Sequence, residues 1–434
     1  GEKITIRHLL HHTSGLRSLH ALLELAGWRG DDTRTNADLN RFLLKQTDLN
    51  FKPGEEYLYC NTGYMLMVDI IEKVTGEKFT VWMKSSILDE LGMPNTYVED
   101  QYNRVVANNA TSYHGRTEFE RAVEYWGYVG SGNIHSNTSD LLQWLNNFYN
   151  PKKGWESAFA KLQTLNLLTD GSLNNYAFGV EVENHLGQKR ISHGGAIGGF
   201  RSFAATYPTE KLSIVVLTNF SGGNPQGNSD KIAELFIEEA AQAMGKQADV
   251  KSVVISGESL KKFEGTYWNS RQKMARKIYV KNDTLTYHRS ANRESALIPV
   301  SENTFRMPYP TGDLTVRFEK KKDSDQFIIS AEGQSTGYFD KVEIITPTAE
   351  ELSEYAGTYY SPEVESSYTI SIKGDNLTFY HSRHGDINMK LSHKDVFIGD
   401  WPLIVVEMHR DENNAIDGLY ISNGRVRNMW FGRE

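Results

Sequence analysis

Tyr59 and Asn61 stand one residue apart in EEYLYCNTGYMLMVDIIEKVTG, Glu55 to Gly76, just ahead of an amphipathic run. A free phenol has a pKa of about 10 and is a poor base at neutral pH. Beside a cationic Lys or His its phenolate form is stabilised, and it can shuttle a proton. The amide of Asn61 could hold a substrate amide or orient a neighbouring side chain. Taken alone, Tyr-x-Asn is a weak signal, because a tyrosine at the start of a helix is more often part of a core.

His193 lies in ISHGGAIGGFRSF, where a strand ends in His-Gly-Gly. Gly194 and Gly195 carry no side chain, so a ligand can approach the backbone there. Such an edge can bind an extended substrate through main-chain hydrogen bonds. The plainer alternative is a glycine-rich hairpin turn with an incidental histidine. His8, His11 and His12 form H-x-x-H-H, with His20 beyond. Spacing of three and four residues puts such side chains on one helix face, as a metal site requires. No carboxylate accompanies them at ligand spacing and the run is leucine-rich, so packing and capping are the expected roles. No metal and no organic cofactor is implied.

The elements that must carry these residues alternate between helix and strand up to about residue 250. ITIRHLLHHTSG has Thr5 as an N-cap and Gly15 as a stop. NADLNRFLLKQ, TGYMLMVDIIEKVTG and KFTVWMKSSILDELGM have helical spacing. After a long irregular stretch, NTSDLLQWLNNFY supplies caps for another helix. Strand patterns follow in YAFGVEVE, KRISHGG, GFRSFAATY and KLSIVVLTNF, and SDKIAELFIEEAAQAMG returns as a helix. Together they predict an antiparallel sheet flanked by helices.

From about residue 258 the pattern is strand and turn, and it repeats. FEGTYWNS at 263–270 answers YAGTYYSP at 355–362, IYVKNDTLTYH answers ISIKGDNLTFY, and Phe305 answers Phe397, all at one offset of 92 residues. A single offset means a duplicated unit, and the short strands with Asn-Asp or Gly-Asp turns suggest a small antiparallel barrel in each copy. Tyr267 should therefore match Tyr359, and Leu285 should match Leu377.

The 434 residues exceed one ordinary core. Apolar content of 39% with 24% charged residues reads as globular, and a net charge of −8 excludes a basic nucleic-acid footprint. No apolar run reaches membrane-spanning length. The single cysteine, Cys60, excludes an intrachain disulfide.

ITIRHLLHHTSGL, FKPGEEYLYCNTGYMLMVDIIEKVTGEKF, ILDELGMPNT, GSGNIHSNTSDLLQW and SHGGAIGGFRSF occur in this order. Together they resemble the serine β-lactamase and penicillin-binding-protein-like hydrolases, nearest to class C β-lactamases, related esterases and D-aminopeptidases. The resemblance implies an α/β (α+β) β-lactamase/transpeptidase-like domain over 1–250. The C-terminal repeat resembles the two barrels of D-aminopeptidase-type members, here small lipocalin-like domains over 258–346 and 350–434. Tyr59-x-Asn61 then matches the family's second catalytic motif, and His193-Gly194-Gly195 matches its third. The resemblance implies that Tyr59 passes a proton to the leaving group and that His193 tunes Tyr59 and helps hold the substrate. Asn61 would bond the acyl side chain, and the Ala196 N–H would supply half of an oxyanion hole.

The family's first motif, Ser-x-x-Lys, is expected upstream of TIRHLL. The two matches present, Ser259–Lys262 and Ser270–Lys273, follow the other motifs instead of preceding them. About two such matches arise by chance in a chain of this size. The expected function is thus a serine hydrolase acting through an acyl-enzyme on an ester, a D-amino-acid peptide or amide, or a β-lactam. Its nucleophile segment is expected ahead of Gly1. The alternative is a non-catalytic binding protein whose barrels hold an apolar ligand or a partner. The expected partner is a small-molecule or peptide substrate, with no nucleic acid, and the resemblance places the protein in the periplasm or outside the cell.

Overall fold

The computed structural model describes residues 3–115, 117–237, 253–290, 293–308, 313–321, 324–331, 336–345, 347–373 and 376–434. They form two compact units. One comprises Gly1–His20 and Trp28–Gln247, and the other comprises Ala21–Gly27 and Ala248–Glu434.

Helix boundaries in the first unit follow from capping chemistry. Helix α1, Ile6–Leu10, starts where the Thr5 side chain accepts the His8 N–H. Helix α2, Asn61–Thr75, ends at Gly76, which takes the left-handed conformation at φ 73° that favours glycine. Helix α3, Thr138–Asn146, is capped by Asn137, and α4, Pro225–Phe236, begins with proline in its first turn. The continuation expected for α4 toward Gly245, and the domain end expected at 250, lie outside the described residues.

Four strands make the central sheet: β1 (Glu181–His185), β2 (Gln188–Ile197), β3 (Phe200–Tyr207) and β4 (Leu212–Thr218). They pair antiparallel in chain order, as a meander. Cross-strand register sorts their side chains onto two faces. Ile191, Ala204 and Val215 turn to one face, where they join Leu88, Leu145 and Phe159. Tyr207 and Ile214 turn to the other, against Ala233 of α4. The sheet is thereby covered by helices on both sides, as the apolar pattern of its strands demands.

Two local expectations are corrected. YAFGVEVE has a strand pattern from its first residue, but the strand begins at Glu181. Gly179, at φ 84°, turns the chain just before it. The spacing of KFTVWMKSSILDELGM predicts one helix; after Phe79–Met83 it widens into a π-helical turn over Lys84–Leu88.

The second unit holds the repeat. Eight strands from Gly265–Asn269 to Gly337–Val342 pair in sequence, and the last pairs with the first to close a barrel. The second copy, Gly357–Ser361 to Met429–Arg433, forms a nine-stranded antiparallel sheet. Its two outer strands, Gly385–Ile387 and Met389–His393, are separated in sequence by Asn388 alone, so the barrel is nearly closed. The matched positions behave alike. Tyr267 and Tyr359 are both fully buried, and each hydroxyl donates to the carbonyl four residues upstream, Phe263 O at 2.9 Å and Tyr355 O at 2.8 Å. Leu285 and Leu377 are both buried, as are Phe305 and Phe397.

Candidate active site

Helix α2 opens at Cys60, whose side chain makes no capping hydrogen bond. An imidazole takes over that function, since the Cys60 N–H donates to His12 Nδ1 at 3.1 Å. His12 is fully buried and sits at φ 56°, a left-handed conformation that a non-glycine residue adopts at a cost of roughly 1–3 kcal/mol. Backbone bonds on either side hold it there: Leu58 N–H to His12 O at 2.9 Å and Gly54 N–H to Thr13 O at 2.8 Å. The same ring lies against Tyr59, with centroids 4.1 Å apart. The histidine-rich turn therefore fixes the phenol ahead of α2.

The other histidines of that motif diverge. His8 Nδ1 accepts the Thr5 N–H at 3.4 Å, completing the cap of α1. His11 Nδ1 donates to the Tyr176 carbonyl at 2.9 Å. Packing and capping account for these contacts, and no group of three or more metal-binding side chains occurs among the described residues.

The facing wall is β2. Its pairing with β1 ends at Glu181–Ser192, so from His193 to Ile197 it pairs only with β3 and leaves one edge open. Gly194, Gly195 and Ala196 are exposed along that edge. A Cβ on Gly195 would lie 2.3 Å from Ser202 Oγ, so any larger residue there would make that hydroxyl rotate away. His193 uses both ring nitrogens. Nδ1 lies 2.6 Å from the Gly194 carbonyl, which can only accept, so Nδ1 carries the proton. Nε2 is then the acceptor for the Tyr176 hydroxyl at 3.0 Å. Burial pushes the His193 imidazole below its usual range, with the Gly194 carbonyl pulling the other way. The ring is neutral at neutral pH.

Tyr176 is 3% exposed, and burial drives its phenol far above the usual range, which keeps it a donor. It stands edge-on to Tyr59 at 5.9 Å and packs on His12 at 4.4 Å. Tyr59 and His193 have centroids 6.2 Å apart. Two rings expected to cooperate are thus joined through two that the sequence did not single out for this purpose, His12 and Tyr176. The signal for Tyr176 is tertiary, because it reaches His193 at a sequence separation of 17, across turn and strand. Asn61 heads α2, half-buried, and its side-chain amide makes no hydrogen bond among the described residues.

The two Ser-x-x-Lys matches lie in the second unit. Ser259 Oγ is 2.9 Å from Ser256 Oγ, and Lys262 Nζ is 3.3 Å from Glu302. Lys273 Nζ pairs with Glu407 at 2.8 Å. Both lysines are thus engaged by carboxylates instead of by the serine of their motif.

The family model described as Beta-lactamase matches residues 1–239. The chain is 27% identical over 214 residues to a D-aminopeptidase of Gluconobacter oxydans (strain 621H), covering 49% of this chain and 41% of that one. It is 28% identical over 324 residues to Penicillin-binding protein 4* of Bacillus subtilis (strain 168), covering 70% of each. The chain thus spans well under half the length of the D-aminopeptidase it matches. Among solved structures, an octameric penicillin-binding protein homologue from Pyrococcus abyssi aligns at TM-score 0.48 and 22% identity over 79% of each chain. A D-stereospecific amidohydrolase from Streptomyces sp. aligns at TM-score 0.45 and 23% identity, over 54% of this chain and 73% of that one.

Proposed function

Because the chain belongs to the beta-lactamase family, we propose that it is part of a serine hydrolase that cleaves D-aminoacyl amides or short D-amino-acid peptides through an acyl-enzyme. What supports this reading is the approach of Tyr59 to His193, ring centroids 6.2 Å apart, where β2 leaves one edge open, with Asn61 two residues on at the head of α2. The D-aminopeptidases among its relatives support the choice of substrate.

In this mechanism the nucleophile is the serine of a Ser-x-x-Lys segment ahead of Gly1. Its hydroxyl attacks the amide carbon while the motif lysine takes the proton. The oxygen that gains charge is held by the serine's own N–H and by the N–H of Ala196. Tyr59 delivers the proton to the departing nitrogen, which cannot leave as an anion. Asn61 bonds the acyl group, and Gly194 and Gly195 let the substrate lie against the strand. Water then attacks the ester, with the same groups moving the proton in reverse.

A neutral His193 argues against β-lactam hydrolysis as the main activity, because such substrates present a carboxylate that a fixed cation would anchor better. The test is a protein extended upstream to include the Ser-x-x-Lys segment. It should hydrolyse a D-aminoacyl p-nitroanilide faster than a chromogenic cephalosporin, and a fluorophosphonate should label the upstream serine. Labelling mapped to Ser259 or Ser270 would overturn the placement of the site.

A further inference from the structure

Beyond Ala196 the open strand runs through Ile197 into Gly198 and Gly199, and a second stretch of chain crosses there. Gly199 N–H donates to Ser112 Oγ at 3.2 Å, and Ala122 N–H donates to the Ser112 carbonyl at 2.9 Å. This crossing sets the carboxyl of Glu124 directly on Gly198. Gly198 has φ 49°, and a Cβ there would fall 0.9 Å from Glu124 Oε1. Gly199 is equally constrained, since its Cβ would meet the Tyr113 backbone at 2.6 Å. Two glycines are thus required to bring a carboxylate against the end of the substrate-binding edge.

That carboxylate is underused. Oε1 is buried and has no hydrogen-bond partner among the described residues. Burial raises the Glu124 pKa, while a hydrogen bond from the Gly199 amide to the carboxyl and then the Arg201 charge lower it only in part. Arg201 spends hydrogen bonds on the Gly198 and Phe200 carbonyls, at 2.8 and 2.6 Å. No ion pair to Glu124 occurs among the described residues. A buried carboxylate oxygen without a partner is costly, so its retention calls for a reason.

Glu124 and Tyr59 both act on one buried phenol, that of Tyr128. Tyr128 is buried, and its hydroxyl is raised above the usual range first by burial, with Arg34 opposing and Glu124 and then Tyr59 adding to the effect. Its ring and the Ile197 side chain flank Gly132, each within 4 Å of where a Cβ would stand. The interval from Ala196 to Gly198 is two strand residues, about 7 Å. A carbonyl bonded to the Ala196 N–H, an ammonium on its α-carbon and an ion pair of ordinary length together span about 8 Å.

We propose that Glu124 is the subsite for the protonated α-amino group of the substrate's acyl residue, so that the site selects acyl donors with a free ammonium. This rests on the function proposed above and adds the group that recognises the substrate. The carboxylate accepts hydrogen bonds from the ammonium at the end of the open edge, while Ile197 and Tyr128 face the adjoining side chain.

The test uses the upstream-extended protein with its motif serine replaced by alanine, taken as the wild-type background, so that binding is read without turnover. Affinities of D-phenylalanine amide, cationic at pH 7.0, and N-acetyl-D-phenylalanine amide, neutral, are compared by calorimetry for the wild type and Glu124→Gln. Glu124→Gln keeps the side chain's shape, and thermal melting confirms that the variant is folded. The expected result is an advantage of about tenfold or more for the cationic amide, lost in Glu124→Gln, with the neutral amide bound equally by both proteins. Equal binding of the two amides by the wild type, or an ammonium advantage that survives Glu124→Gln, would overturn the subsite while leaving the proposed hydrolase standing. Failure of the cationic amide to bind, where the protein with its serine restored still hydrolyses a D-aminoacyl p-nitroanilide, would overturn the subsite alone.

Discussion

Replacing Tyr176 by Phe removes one hydroxyl from the ring cluster and keeps its packing against His12. The lost bond is the donor at 3.0 Å to His193 Nε2. That bond exists only while Nε2 is unprotonated, so it favours the neutral ring. A hydrogen bond of this kind contributes about 0.5–1.5 kcal/mol. At 1.36 kcal/mol per unit, the His193 pKa should rise by about 0.4–1.1 units in Tyr176→Phe. Burial of the imidazole is unchanged, so the value should move back toward the usual histidine range without passing far beyond it. The tautomer should not change, because the contact between Nδ1 and the Gly194 carbonyl at 2.6 Å is independent of Tyr176. Long-range ¹H–¹⁵N spectra of the histidine side chains across pH 4.5–8 read both quantities at once. His185 provides an internal control, since its Nδ1 bonds the Tyr207 hydroxyl at 2.7 Å and should respond to Tyr207→Phe but not to Tyr176→Phe. An unmoved His193 titration in folded Tyr176→Phe, or a wild-type ring protonated on Nε2, would refute the orientation assigned here. In an upstream-extended protein, any activity limb governed by His193 should move upward by the same amount.

Tyr59→Phe in that extended protein should lower kcat by about 10²–10⁴ with little change in the binding of a substrate analogue. Near-normal turnover in a folded variant would remove the proton-transfer role. Asn61→Ala should weaken analogue binding more than Tyr59→Phe does, measured by the same calorimetry. Stability should also fall in mild acid. His381 is 3% exposed, and its pKa is lowered to about 4 by burial, with His384 and Arg383 adding to it. Its folded pKa lies below the unfolded one, so the unfolded chain binds the extra proton between about pH 6.5 and 4. The full stabilisation is present above about pH 6.5, and about 3 kcal/mol is lost by pH 4, as denaturant titrations of wild type and His381→Gln should show. Gly27→Ala should destabilise by about 2–4 kcal/mol, because at φ 88° its Cβ would lie 2.2 Å from His381 Cε1. Gly76→Ala, at φ 73° with open space around it, should cost only about 1 kcal/mol.

Much of this architecture was legible because it depends on local chemistry. Thr5, Asn137 and Gly76 announce helix ends through bonds made within three or four residues. The open strand was visible because three consecutive small residues follow His193. What was not legible depends on contacts distant in sequence. The His12 imidazole caps a helix 48 residues later and takes a left-handed backbone to do so, neither of which its spacing from His8 suggests. Spacing alone raised a metal site there, and only the directions of the ring nitrogens show three separate duties. Glu124 sits in a stretch without helical or strand periodicity, so nothing local distinguishes its carboxylate from any exposed one.

The repeat shows how a sequence can reveal a fold and still conceal a specialisation within it. Tyr267 and Tyr359, Phe305 and Phe397, and Phe339 and Phe431 keep the offset of 92 residues and are all buried, because both barrels must fill the same interior. Gly265 and Gly357 share it too, at φ 152° and 154°. The copies differ where the second one holds Ala21–Gly27, residues distant in sequence that cluster with its unit. Tyr368 donates to the Leu25 carbonyl at 3.0 Å, His384 Nε2 lies 2.8 Å from the Glu24 carbonyl, and the His381 ring is pressed against Gly27. At the same offset the first copy has Arg276 in place of Tyr368 and Arg289 in place of His381. Arg276 turns instead to the Tyr287 hydroxyl of its own barrel at 2.9 Å. Core positions answer to the shape of a barrel and so recur between copies. Positions that hold a segment from elsewhere answer to that segment, and they recur only where it is present. A sequence repeat therefore identifies the shared interior, and its mismatches mark the surface where one copy has acquired a separate task.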